Sequence, residues 1–64
     1  MLLTLNGKPH QFEGTTVHEL IEQLGLQGRL AVEVNEDIVP KSDHATYSLS
    51  AGDVVEIVHA IGGG

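Results

Sequence analysis

Apolar residues follow two different rhythms along this chain, and the switches between them mark its elements. Met1, Leu3 and Leu5 recur at period two, the pattern of a strand with one face in a core. Asn6-Gly7 follows, a dipeptide favoured in two-residue type I′ turns because both positions need positive φ. A β-hairpin over residues 1–12 is therefore predicted, with Leu5 opposite Lys8, Leu3 opposite His10 and Met1 opposite Phe12. Pro9 has no N–H to give to a ladder, so the second strand belongs at a sheet edge and His10 at the margin of the core. From Val17 the period lengthens: Val17, Leu20, Ile21 and Leu24 make one helical stripe, with His18, Glu19, Glu22 and Gln23 on the wet side. Thr16-Val17-His18-Glu19 is a capping box, Gly25 supplies a left-handed stop, and Leu26 can fold back over the last turn. So short a helix is unstable alone and must lie on a sheet.

Period two returns at Leu30, Val32 and Val34, alternating with Ala31, Glu33 and Asn35. Asn35-Glu36-Asp37 turns the chain, and Ile38-Val39-Pro40 makes a short return strand stopped by proline. Residues 41–48 carry no period and read as a surface loop with at most a helical turn, from which Tyr47 and then Leu49 reach the core. Ser50-Ala51-Gly52-Asp53 turns into the most strand-like run, residues 54–59, in which Val55 and Ile57 should face the helix and Glu56 the solvent. Val54 and Val58 share the parity of Glu56, and Leu2 can join them from the first strand, so these three form a candidate partner-docking patch. Scattered exposed valines are also ordinary in strands, which is the competing account.

Composition narrows the function. A chain of 64 residues is one domain; at this size roughly 60% of the unfolded surface is buried, leaving no room for a deep catalytic cleft and favouring a binding or carrier role. Cysteine is absent, which removes disulfides, thiolate ligands and a thiol nucleophile together and fits a cytoplasmic protein. No basic leader or membrane-length apolar run is present, so no membrane role is expected. Nine Asp and Glu against three Lys and Arg give a formal charge of −6, which disfavours nucleic acid and anionic lipid and suits a partner with a basic face. His10, His18, His44 and His59 have neither the i, i+4 spacing nor the cysteine partners of a metal site, and Asp37, Asp43 and Asp53 do not make a calcium loop. Packed or solvated histidines are expected, with no catalytic residue, no metal and no bound cofactor.

The last strand runs into Ile61-Gly62-Gly63-Gly64. Without a Cβ, such glycines can thread a narrow channel and let a partner approach their backbone closely. A frayed terminus is the ordinary alternative. The division expected is a folded domain over residues 1–60 and a flexible glycine tail over 61–64, with the main-chain carboxylate of Gly64 as the one unusual reactive group.

The order strand, strand, helix, strand, short strand, loop, final strand is that of the ubiquitin-like β-grasp, an α+β fold with a mixed sheet of four to five strands packed on one helix. Beyond that order the sequence resembles the small sulfur-carrier proteins of thiamine biosynthesis, the ThiS family. The resemblance rests on Thr16-Val17-His18-Glu19-Leu20, on Val34-Asn35-Glu36-Asp37-Ile38-Val39-Pro40, on Gly52-Asp53-Val54-Val55-Glu56-Ile57 and on the terminal glycines. It implies that a ThiF-like adenylyltransferase uses ATP to activate the Gly64 carboxylate, and that sulfur supplied ultimately by a cysteine desulfurase then replaces AMP. A ThiG-like thiazole synthase would receive the sulfur from the resulting thiocarboxylate. Gly62 and Gly63 would thread the partner's channel, Ile61 would be the hinge, and the carrier itself would be a monomer when free. Three glycines stand here where the minimal family signature has two. The small subunit of molybdopterin synthase, a ubiquitin-like protein modifier and a passive β-grasp interaction domain share parts of this pattern.

Overall fold

The computed structural model describes residues 1–60; the expected tail over 61–64 lies outside the described residues. The elements are β1 (Leu2–Leu5), β2 (Lys8–Gln11), α1 (Val17–Leu24), β3 (Leu30–Val34), β4 (Asp37–Val39), a 3₁₀ turn (Lys41–Asp43) and β5 (Val54–His59). The five strands form one sheet in the order β2-β1-β5-β3-β4. β1 and β5 run parallel at its centre, and the other neighbours are antiparallel.

The hairpin forms as the Asn6-Gly7 pair demands. Their φ angles are 49° and 83°, and the register sets Leu5 against Lys8 and Leu3 against His10. Met1 and Phe12 close it, each backbone N–H reaching the other's carbonyl at 2.8 Å. β2, with Pro9, is an edge strand, where a missing N–H costs the sheet nothing. The helix begins at a complete capping box on Thr16 and ends at Gly25 in the left-handed region, with the Leu26 N–H returning to the Ile21 carbonyl at 3.3 Å. Backbone N–H groups of Thr16 and Thr15 donate to the Glu19 carboxylate and hold its pKa below the usual carboxylate value. Two further N–H groups of the first turn are taken by the loop after β4: Val17 donates to the Tyr47 carbonyl and His18 to the His44 carbonyl. The irregular loop thus caps the helix from outside it.

One turn differs from expectation. Asp37 is not part of the β3–β4 turn but the first residue of β4, paired with Val34, and Pro40 lies beyond the strand. Asn35 and Glu36 both take positive φ, 52° and 73°, so two residues complete the reversal and the third is free to pair.

The core lies between α1 and one face of the sheet. Leu3, Phe12, Val17, Leu20, Val32, Val34, Val39, Leu49, Val55 and Ile57 are buried there, with Tyr47 packed against them. Val55 and Ile57 face the helix, as the alternation of β5 requires. Gly14 is a close-approach position: a Cβ there would stand 2.7 Å from the Phe12 ring. Among the described residues no helix is long and apolar enough to cross a membrane.

Candidate functional site at the final strand and the open sheet face

β5 is the strand that leads to the glycines, and its position is fixed from both sides. Toward β1, the Asn6 N–H donates to the Val55 carbonyl at 2.9 Å. The Asn6 side chain then continues the ladder past the end of β1, its amide donating to the Ile57 carbonyl at 3.0 Å and accepting from the Ile57 N–H at 2.9 Å. Toward β3, Asn35 does the same at the other neighbour: its N–H donates to the Val54 carbonyl at 2.7 Å and its side-chain oxygen accepts from the Val54 N–H at 2.9 Å. A primary amide offers a donor and an acceptor side by side, as a strand residue does, and can stand in for one where the neighbouring strand has turned away. At the far end the Ala60 N–H still donates to the Arg29 carbonyl at 3.0 Å. Sheet bonding therefore reaches Ala60, the last described residue.

The face of the sheet away from α1 carries the expected patch residues. Leu2, Val54 and Val58 are 56%, 45% and 59% exposed, while Val55 and Leu3 on the opposite parity are buried. Ile38, not anticipated from the sequence, is the most exposed of the large apolar residues at 76%. It pairs with Glu33, and Glu33 pairs across with Glu56, so all three share the open face. The signal that could have found it was the two-residue turn at Asn35-Glu36, which fixes the parity of β4. This face is thus an apolar surround to two carboxylates placed directly opposite each other, an arrangement that repels within the sheet.

The tail positions Ile61, Gly62, Gly63 and Gly64 lie outside the described residues. Of the histidines, His44 is buried, with Nε2 3.1 Å from the Val39 carbonyl, and His10 is half-buried. His18 is exposed beside Glu22 and His59 lies against the Gln27 carbonyl. They stand on different elements, and among the described residues no three His, Asp or Glu side chains gather where a metal could sit.

A mixed five-stranded sheet with a parallel central pair and one helix on a single face defines the class as a ubiquitin-like β-grasp protein. The same shape is found in a solved structure, the thiamine biosynthesis protein ThiS of Geobacter metallireducens, at a TM-score of 0.87 and 32% identity over the whole of both chains. The ThiS family model matches residues 3–64. The Sulfur carrier protein ThiS of Thermus thermophilus is 36% identical over 98% of this chain and all of its own length. A thiazole synthase of Paramagnetospirillum magneticum is 46% identical across this entire chain, which spans only 20% of that larger protein. The chain belongs to the ThiS family of sulfur carrier proteins.

Proposed function

We propose that this protein carries sulfur for the thiazole ring of thiamine on the carboxyl group of Gly64, as a cytoplasmic co-substrate and not an enzyme. The observation that carries the reading is the family match, which runs through the terminal glycines, joined to a final strand held at the sheet centre up to Ala60. A carboxylate is a poor acyl donor at neutral pH, and its own negative charge repels a nucleophile. An adenylyltransferase supplies the remedy: a Gly64 oxygen attacks the α-phosphorus of ATP, pyrophosphate leaves, and the carbonyl now bears AMP as a good leaving group. Sulfur from a cysteine desulfurase persulfide, brought to the sulfide level by a thiol reductant, displaces AMP and leaves a thiocarboxylate. Thiazole synthase is the acceptor.

The domain's part is binding. Ile61 is the hinge, Gly62 and Gly63 occupy the partner's channel, and no side chain of the carrier transfers a proton. Leu2, Val54, Val58 and Ile38 form the apolar part of the docking face. The opposed Glu33 and Glu56 favour a partner bearing a basic group at the centre of that face. Relatives named thiazole synthase that contain a segment like this whole chain support the choice of acceptor.

The test is reconstitution with an adenylyltransferase, ATP, cysteine desulfurase and a thiol, followed by mass spectrometry of the intact protein. The expected product is heavier by the difference between sulfur and oxygen, with the increment on Gly64 after peptide mapping. Unchanged mass under conditions that charge another ThiS protein would refute the reading, and an increment on Gly63 would move the site.

A further inference from the structure

A groove of about 340 Å³ lies on the helix side of the sheet, away from the docking face described above. Its floor is apolar and half-buried: Ile21 of α1, Leu26 after the helix and Leu30 of β3. Its polar lining includes His18, Lys41 and His44, and no carboxylate lines it. That runs against the character of the chain, in which acidic residues outnumber basic ones nine to three. Lys41 is the one Lys or Arg of this lining; Arg29, exposed, precedes Leu30 and is out of phase with the groove-facing residues of β3. Among the described residues neither Lys41 nor Arg29 stands in an ion pair, and the nearby carboxylate of Glu22 is turned to His18 at 3.5 Å. The groove also adjoins the place where the chain leaves the sheet. The Gln27 backbone carbonyl in its wall lies 3.2 Å from Nε2 of the His59 ring, and the Arg29 carbonyl accepts from the Ala60 N–H at 3.0 Å.

We propose that this groove docks an acidic, apolar peptide segment of a partner protein, seating a hydrophobic side chain over Ile21, Leu26 and Leu30 with a carboxylate directed to Lys41. The apolar contact supplies most of the affinity, because an exposed ion pair contributes little. The charges supply selection: a carboxylate-bearing segment is drawn to this end of a molecule that elsewhere repels it. Any enzyme working on the residues after Ala60 approaches from this same end. The inference rests on the carrier reading only for that identity of the partner, since the groove's chemistry stands without it.

The test is an NMR titration of the full ¹⁵N-labelled chain with two blocked peptides, Asp-Leu-Glu-Leu-Asp and Lys-Leu-Lys-Leu-Lys. The acidic peptide should move the amides of Ile21, Leu26, Gln27, Leu30 and Lys41 with a Kd of about 1 mM. Lys41→Glu should weaken it about tenfold, and the weakening should shrink at high salt. Lys41 is an exposed residue at the start of the 3₁₀ turn, and unmoved Val55 and Ile57 amides in the variant establish that the core is intact. Equal binding of both peptides, shifts confined to Leu2, Val54 and Val58, no shift at about 5 mM, which is beyond the expected range, or an unaffected Lys41→Glu variant would each overturn the proposal. None of these outcomes touches the mass increment on Gly64, and a missing increment leaves the titration to be read by itself.

Discussion

The two halves of β5 are held differently. Its first half is clamped on both flanks: Val54 and Val55 pair with β1 on one side and Val55 with Val34 of β3 on the other. Two asparagine side chains extend the clamp to Val54 and Ile57. Its second half has a strand on one side only, since β1 has turned away after Leu5 and Val58 and His59 pair with β3 alone. Residues Val55 and Ile57, which the core needs, lie where the bonding is two-sided. The residues next to the glycines lie where one flank is open. The contrast teaches how a small domain can keep a firm centre while leaving one side of its final strand accessible.

The most disruptive way to break this contrast is from below. Leu20 is fully buried among the residues that cover Val55 and Ile57, and Leu20→Ala should cost about 2–5 kcal/mol in a urea melt. Asn6→Gly tests the clamp itself, because glycine keeps the positive φ and removes only the side-chain ladder. It should cost about 1–3 kcal/mol, with the Ile57 amide losing protection in hydrogen exchange. Glu56→Gln relieves the repulsion with Glu33 and should stabilise the fold by about 0.2–1 kcal/mol while weakening binding to the adenylyltransferase proposed as partner; a gain in both would remove the basic-partner reading of that face. His59→Ala, in the one-sided half, removes an exposed ring contact and should change stability by no more than about 0.5 kcal/mol. The smallest effect is conditional on pH. Glu19 has a lowered pKa in the folded state, so its contribution is present above the ordinary carboxylate pKa and is lost as pH falls through the depressed folded value. Melts in acid should show that loss in the wild type and a flatter dependence in Glu19→Gln.

Much of this architecture could be read from local signals. Asn6-Gly7, the Thr16–Glu19 box and Gly25 each specify a backbone conformation through their own chemistry, and all three form as expected. The parity of β5 placed Val54 and Val58 outward for the same reason: alternation is a property of the strand alone. Three features were not legible. Glu36 is an ordinary-looking residue held at positive φ by the pairing of Val34 with Asp37, so the reversal is one residue shorter than the sequence pattern predicts. The amides of Asn6 and Asn35 act on a strand distant in sequence, and no local pattern announces their targets. Within the loop over 41–48, His44 is buried because its backbone completes the helix cap and its ring meets Val39, contacts that exist only once the sheet is assembled.

The strand order has a consequence for how the molecule comes into being. Asn6 and Ile57 are 51 residues apart in sequence, yet they bond at the middle of the sheet. A chain emerging from the ribosome therefore has β1–β2 and β3–β4 as two separate ribbons with unsatisfied edges until β5 arrives to join them. Closure waits on a contact of long sequence separation, which slows folding relative to a helical protein of this size. This domain gains a continuous hydrophobic interior only when β5, the last of its strands in chain order, has been made, so until then both ribbons keep bare edges and the residues of its core stay open to solvent.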